Sequence, residues 1–230
     1  MKISVIIPTY NEAARIGVLI DYLLVNRNNA QVEVIVVDGG SSDHTIEIAA
    51  SKEVTCLKAP QKGRANQLNY GASKATGDVF YFVHADTFPP ATYPHCIEES
   101  ILKGYTSGCC AYTFDSNKWP LKLNSFFTQF NGFYSGGGDQ TLYVTKAMFE
   151  ELGGFNPSYT IMEDFEFTKR LKARKTFKVL KSKAIVSARK YENNSYIKVN
   201  SINLLAMFMF WLKLPPSKIN NLYKSLIKQV

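Results

Sequence analysis

A mostly parallel α/β sheet flanked by helices is the fold class this sequence predicts, on three observations. Short apolar runs rich in β-branched residues recur through residues 1–90, as in strands buried on both faces. Stretches with apolar residues at helical spacing separate them, and such alternation builds an open parallel sheet with right-handed crossovers. Three runs lead into Pro8, Asp38 and Asp86, and open parallel sheets bind ligands at the carboxyl ends of their strands.

Residues 3–7 (ISVII) form the first run, and Pro8 stops it. Asn11 is placed to cap a helix carrying Ile16, Leu19, Ile20, Leu23 and Leu24. VEVIVVD (32–38) is the second strand, followed by the turn GGSSD, with Ser42 placed to cap a helix carrying Ile46 and Ala49 or Ala50. VTCLKA (54–59) reads as a third strand, and 62–75 as a helix with Ala65, Leu68 and Ala72 on one face. DVFYFV (78–83) is the fourth strand and runs into His84-Ala85-Asp86. Regularity then drops. Residues 118–144 mix aromatics with three consecutive glycines, and 145–155 reads as a short helix ending at glycine. Residues 162–175 read as a helix with Phe165, Thr168 and Leu171 inward and a basic carboxyl end, and 176–189 as strand-like. No repeat or low-complexity linker interrupts the chain. Residues 1–200 are therefore expected to form one domain with halves 1–90 and 91–200, and 201–230 a helical tail.

At 230 residues, 46% hydrophobic and 13% aromatic, the chain can bury a sizeable core. Its net charge of +8 favours anionic partners. Nucleic acid is not expected among them, because no basic-aromatic stacking platform is present. Four cysteines without a CxxC pair, and an opening apolar run too short for a secretory signal, lead us to expect reduced thiols and a cytoplasmic location. The apolar run 202–212 is about half the roughly 20 residues a membrane span requires. Beyond Pro215-Pro216, Ile219, Leu222, Tyr223, Leu226 and Ile227 follow helical spacing among Lys218, Lys224 and Lys228. Such a tail either lies on an anionic membrane, here its inner face, or packs on the domain or a second subunit.

Five short stretches carry candidate chemistry, each with a plain structural alternative. PTYNE (8–12) is a strand-to-helix turn, or the Pro8-Thr9-Tyr10 backbone and the Tyr10 ring line a base pocket. Asp38 terminates a strand, or accepts from a base N–H or ribose hydroxyl, with Gly39 allowing close approach. Asp86 caps a strand, or ligates a divalent cation whose other ligands are diphosphate oxygens and waters. GGGDQ (136–140) is a tight turn or part of a site. Glu163-Asp164 open a helix, where acids suit the dipole, and where a carboxylate in a cleft also makes a general base. Singly none is specific; their order along the chain is.

That ordered set, VIIPTYNE, VVDGGSSD, HAD, GGGDQ and ED, resembles glycosyltransferase family 2, enzymes of the GT-A fold that transfer sugars from nucleotide-diphosphate donors. The resemblance covers roughly residues 2–190. Within the family it looks like the compact bacterial subgroup with HADT and GDQ signatures, sometimes labelled arsenosugar-biosynthesis transferases. It implies a single GT-A catalytic domain with a nucleotide-binding half (1–90) and an acceptor-side half (91–200). Pro8, Tyr10 and Glu12 would line the nucleotide pocket beside Thr9, Gly39, Asn69, His84 and Ala85, and Asp38 would contact the base. Asp86 corresponds to the last carboxylate of the family's DxD motif, meeting Mg2+ or Mn2+ and the diphosphate. Asp164, beside Glu163, corresponds to the catalytic base, and Gly138, Asp139 and Gln140 would sit near the donor sugar or acceptor. Two departures stand out: His84 replaces the first DxD carboxylate, and Leu68 stands where the family's ARNxG helix has arginine. Arg64, one turn earlier on that helix face, is placed to reach the diphosphate.

The implied reaction is inverting transfer to a hydroxyl acceptor not readable from the sequence, whose pocket would involve residues 115–140. There Trp119, Phe126, Phe127 and Tyr134 either stack on a sugar or pack inward. A nucleotidyltransferase would carry a Gly-rich, Arg-containing loop after the first strand, which PTYNEAAR is not. A non-catalytic nucleotide-sugar binder is the other alternative.

Overall fold

The structure, a computed structural model, describes residues 1–132 and 135–227; Tyr134 and Lys228 lie outside the described residues. The first half alternates as expected: β1 (Lys2–Thr9), α1 (Ala13–Val25), β2 (Gln31–Asp38), α2 (Thr45–Ala50), β3 (Thr55–Lys58), α3 (Arg64–Lys74) and β4 (Val79–Phe82). Then come β5 (Thr87–Phe88), α4 (Tyr93–Leu102), β6 (Ser107–Phe114), α5 (Trp119–Phe127), β7 (Leu142–Thr145), α6 (Lys146–Glu151), α7 (Glu163–Ala173) and β8 (Phe177–Val186). Two C-terminal helices follow, α8 (Tyr196–Trp211) and α9 (Pro216–Leu226). α8 begins inside the 1–200 span, so helix and core domain overlap there.

All eight strands form one sheet in the order β3-β2-β1-β4-β7-β6-β8-β5. The β3-β2-β1-β4 half is parallel, while β7 runs antiparallel to both β4 and β6. The continuous apolar runs follow from burial on both faces. Ile3, Val5 and Ile7 of β1 join Val34 and Val36 of β2 against α1, whereas Ile6, Ile35 and Val37 face α3. Phe80 and Phe82 of β4 meet Phe149, Phe155 and Phe167 in an edge-to-face aromatic layer. Phe167 thus fills the α7 core position expected of Phe165, which is only half-buried and contributes to a cluster with α8.

Two expected caps are corrected. Asn11 adopts φ 54 and caps no helix: its backbone N–H donates to Ser41 Oγ (2.9 Å), and its Oδ1 accepts from Ser42 N (2.9 Å). Ser42 lies three residues ahead of α2, and Asp43 instead accepts from Thr45 N and from Ala13 N at the start of α1 (both 3.1 Å). The two loops are zipped together, and Asp43 of the second loop serves the starts of both helices. In the tail, α9 turns its apolar side inward through Ile219 and Ile227, and Tyr223 donates to Asn203 of α8 (3.0 Å). Among the described residues no helix is long and apolar enough to cross a membrane. All four cysteines are free; Cys109 and Cys110 are buried in β6, and burial pushes both thiols up, keeping them protonated.

α3 lies close on the sheet because Gly71 faces Ile6 and Val37. A Cβ there would come 2.5 Å from Ile6 Cγ2 and 2.9 Å from Val37 Cγ2. Gly71→Ala is expected to lower stability by about 1–3 kcal/mol through overpacking. Gly132→Ala, where a Cβ meets open space, should cost well under that; urea unfolding of both variants checks the contrast.

Candidate active site

The parallel register puts Thr9 beside Asp38, aligning the carboxyl ends of β1 and β2. Gln67 of α3 ties them from beneath, donating from Nε2 to Thr9 O and Val37 O (both 2.8 Å). Pro8 and Thr9 are buried, Tyr10 stands in solvent, and Gly39 passes over the Gln67 amide with no room for a side chain. The Asp38 carboxylate holds its own loop: Oδ2 accepts from Gly40 N (2.7 Å) and Ser41 N (2.9 Å), and Oδ1 from Ser41 Oγ.

Beyond β4, Ala85 is buried in the core. Asp86 and Glu12 share one cation. Arg189, just after β8, forks onto Glu12 (2.6 and 3.1 Å) and reaches Asp86 Oδ2 (3.2 Å). The hydrogen bonds to Glu12 hold the guanidinium pKa above its ordinary value. Sequence reasoning missed Arg189; its signal was a lone arginine closing the last strand-like run. Asp86 Oδ1 has only a long contact, 3.5 Å from Thr87 Oγ1. That leaves an open oxygen on a half-buried carboxylate, which suits a cation whose remaining ligands come from a diphosphate and water.

The third component joins α3 to α7. Glu163, 1% exposed, pairs with Arg64 (3.0 Å), whose pKa is raised chiefly by Glu163, with Asp164 and Asp86 adding. Next to it, Asp164 accepts from Phe165 N (2.7 Å) and from Gly138 N. Burial first, then the Glu163 charge, pushes the Asp164 carboxyl up to about 7. His84 lies against the same loop: a Cβ on Gly138 would fall 1.9 Å from its Cε1 and 2.9 Å from Asp164 Oδ2. Burial, then the Arg64 charge, lowers its pKa to about 4, so the ring is neutral at pH 7.

Arg64, His84, Gly138, Glu163 and Asp164 are therefore brought together, with Asp86 nearby and linked through Arg189 to Glu12. Asp139 is exposed at the rim. Two amides expected here are spent elsewhere. Asn69 clamps Phe155, accepting from its N–H (2.9 Å) and donating to its carbonyl (2.8 Å), because it sits about 140° around α3 from Arg64. Gln140 is buried, accepting from Gly136 N (2.6 Å) and donating to Cys110 O (3.1 Å) and Thr128 O (3.0 Å). Its role is to hold the glycine loop, since buried backbone groups there need partners. Thr141 at φ 50 and Met162 at φ 64 flank the site, and such backbone costs of order 1–3 kcal/mol each.

The fold is that of GT-A glycosyltransferases. The chain aligns with S. aureus TarS solved with UDP at a TM-score of 0.68 and 18% identity, over 98% of this chain and 70% of that one. Glucosyl-3-phosphoglycerate synthase from Mycobacterium tuberculosis, solved with Mn2+, UDP and glucosyl-3-phosphoglycerate, aligns at 0.64 and 17%, over 93% and 81%. Mannosyltransferase PcManGT from Pyrobaculum calidifontis, solved with GDP-Man and Mn2+, gives 0.61 and 21%, over 80% and 56%. A family model for Glycosyl transferase family 2 matches residues 4–155, and the chain belongs to that family. A dolichol-phosphate mannosyltransferase of Pyrococcus furiosus is 35% identical over 104 residues, 43% of this chain but only 30% of that protein. An uncharacterised glycosyltransferase of Mycobacterium tuberculosis is 24% identical over 186 residues, 73% of this chain and 68% of that one.

Arg64→Ala leaves Glu163 buried without its cation and is expected to cost about 1–3 kcal/mol, since the half-exposed arginine makes the pair weaker than a fully buried one. Adding Glu163→Gln should recover most of the loss, and a double-mutant cycle by urea unfolding reads it. For Asp164 the folded pKa lies above the unfolded one, so the native state holds the extra proton between about pH 4 and 7. This group's contribution to stability therefore falls as pH rises through that window. The slope should be lost in Asp164→Asn, as unfolding across the same pH range would show.

Proposed function

We propose that this chain is an inverting glycosyltransferase that moves a sugar from a nucleotide-diphospho-sugar, first candidate a UDP-sugar, to a hydroxyl acceptor. The observation that carries the reading is Asp164. It is a carboxyl held at a helix N-terminus by two backbone donors, with a pKa of about 7, packed against Gly138 and His84. A base poised there is about half ionised at neutral pH and still accepts a proton.

In the proposed step the acceptor O–H gives its proton to Asp164 as its oxygen bonds to the anomeric carbon. The anomeric C–O bond breaks, its electron pair leaves with the nucleoside diphosphate, and one displacement inverts the centre. Asp86 would hold a divalent cation, Mg2+ or Mn2+, which when bound supplies charge stabilisation to the leaving diphosphate. Arg64 and Arg189 bring positive charge to the same rim. Neutral His84, where relatives of this family carry a carboxylate, leaves Asp86 the carboxylate of that motif. Tyr10, exposed above the β1 end, is free to cover the base, and Asp139 stands at the rim on the sugar side. Support comes from the family membership and from solved relatives of this fold that hold UDP or GDP-Man, two of them with Mn2+.

Isothermal titration with UDP, with and without Mn2+, tests the donor site: metal-dependent binding is expected in the native protein and its loss in Asp86→Ala. Silence from UDP, GDP, dTDP and CDP alike would sink the transferase reading, and binding without turnover of any UDP-sugar would point to a non-catalytic binder. Once a donor is found, Asp164→Asn should lower kcat by about 10²–10⁴ with donor affinity retained. The native kcat should rise with pH up to about 7 and then level, the sign expected of a base that must lose its proton.

A further inference from the structure

We infer that α5 and α8 form a docking surface for an anionic lipid bilayer. Over its last two turns, Leu204–Trp211, α8 is apolar all round. Val199, Ile202, Ala206 and Phe210 pack inward, while Ile197, Leu204, Leu205 and Phe208 line the opposite side in solvent, Ile197 at 77% and Phe208 at 61% exposure. A helix apolar on every side calls for a cover on each. α5 repeats the pattern: Leu121 and Ser125 are buried, and Trp119, Phe126, Phe127 and Phe130 project outward, Trp119 at 71% exposure. The two helices are neighbours. Asn124 donates to Asn200 (3.3 Å), and one cleft of about 470 Å³ is lined by both Asn131, just past α5, and Trp211 at the end of α8. Exposed apolar surface concentrated in this way marks an interaction site.

Charge selects the occupant. Residues 116–138 and 193–214, which carry both helices, contain four lysines and no Asp or Glu. Lys169, Lys172 and Lys175 of the α7 end line the adjoining cleft. A second copy of the chain would bring lysine against lysine across a symmetric contact with no acid to answer it. An anionic bilayer satisfies both features: aromatic and aliphatic side chains enter the headgroup boundary while lysines meet lipid charge. The sequence left the tail either on a membrane or packed on the domain, and with Ile219 and Ile227 buried α9 packs on the domain and is not the membrane contact. The exposed side of α8 takes that place. The surface adjoins the site, because Phe165, next to Asp164, packs in one cluster with Met207 and Phe210.

Both tryptophans of the chain, Trp119 and Trp211, belong to this surface, so intrinsic fluorescence reports it directly. The full chain is titrated with vesicles of phosphatidylcholine alone or mixed with phosphatidylglycerol, plain or brominated in the acyl chains, at low and high salt. The expected result is a blue shift with the anionic vesicles only, quenching by brominated lipid, and weakening by salt. Leu204→Ser with Phe208→Ser should weaken partitioning by about tenfold or more. Lys122→Glu with Lys213→Glu, which acts through charge alone, should do likewise. No shift in the native protein overturns the inference. So does a shift without bromolipid quenching, or binding indifferent to the serine pair. A concentration-dependent dimer broken by the serine pair, or fluorescence that responds to single-stranded RNA and not to vesicles, would also overturn it.

Discussion

Glu163 is buried at the first turn of α7, and a carboxylate there is tolerable only while Arg64 reaches it from the first turn of α3. The pair spans 99 residues of sequence and joins the first turn of α3 to that of α7. Its charges then set those around it. The Glu163 carboxylate adds to burial in raising Asp164, and the Arg64 guanidinium adds to burial in lowering His84. Gly138 can only be glycine, because His84 and Asp164 occupy the space of a side chain. Burial moves the two titratable groups in opposite directions, and the charge of one member of the ion pair adds to it at each.

Around this pair the loops are held by amides. Gln67 bonds the β1 and β2 ends, Asn69 clamps the backbone of Phe155, and Gln140 holds Gly136, Cys110 and Thr128. Irregular backbone brought under other chain must find partners for its N–H and C=O groups, and a planar amide serves one of each. The same fixing lets Thr141 and Met162 keep left-handed backbone next to the site: Thr141 is bonded to Tyr81 (2.9 Å), and Met162 packs against the α8 cluster.

The second half of the molecule faces two environments. β7 and β6 close the sheet with antiparallel pairing and carry the glycine loop, while α5 and α8 are packed on one side and apolar on the other. The segments that carry these two helices hold lysine without Asp or Glu.

Much of the nucleotide-side architecture was legible in the residue pattern, because burial on both faces forces continuous apolar runs and helical crossovers force 3.6-residue spacing. Four strands, their order of succession and the strand-end positions of Asp38 and Asp86 follow from that local signal. α4, β6 and α5 were not readable, since mixed aromatic and polar stretches carry no single period. Residue type in a motif was a weaker guide than its surroundings: Asp38, Asn69 and Gln140 look equally polar in the sequence, yet Asn69 and Gln140 spend their amides on backbone and Asp38 braces its own turn. Arg189, far down the chain, reaches Glu12 and Asp86 only because β8 and β1 are brought into one sheet. The chain order of the motifs was enough for the fold and family. Which side chains meet, which are already satisfied, and which carboxyl keeps its proton near pH 7 depend on contacts between residues far apart in sequence. Only the folded chain sets those distances and the solvent around them.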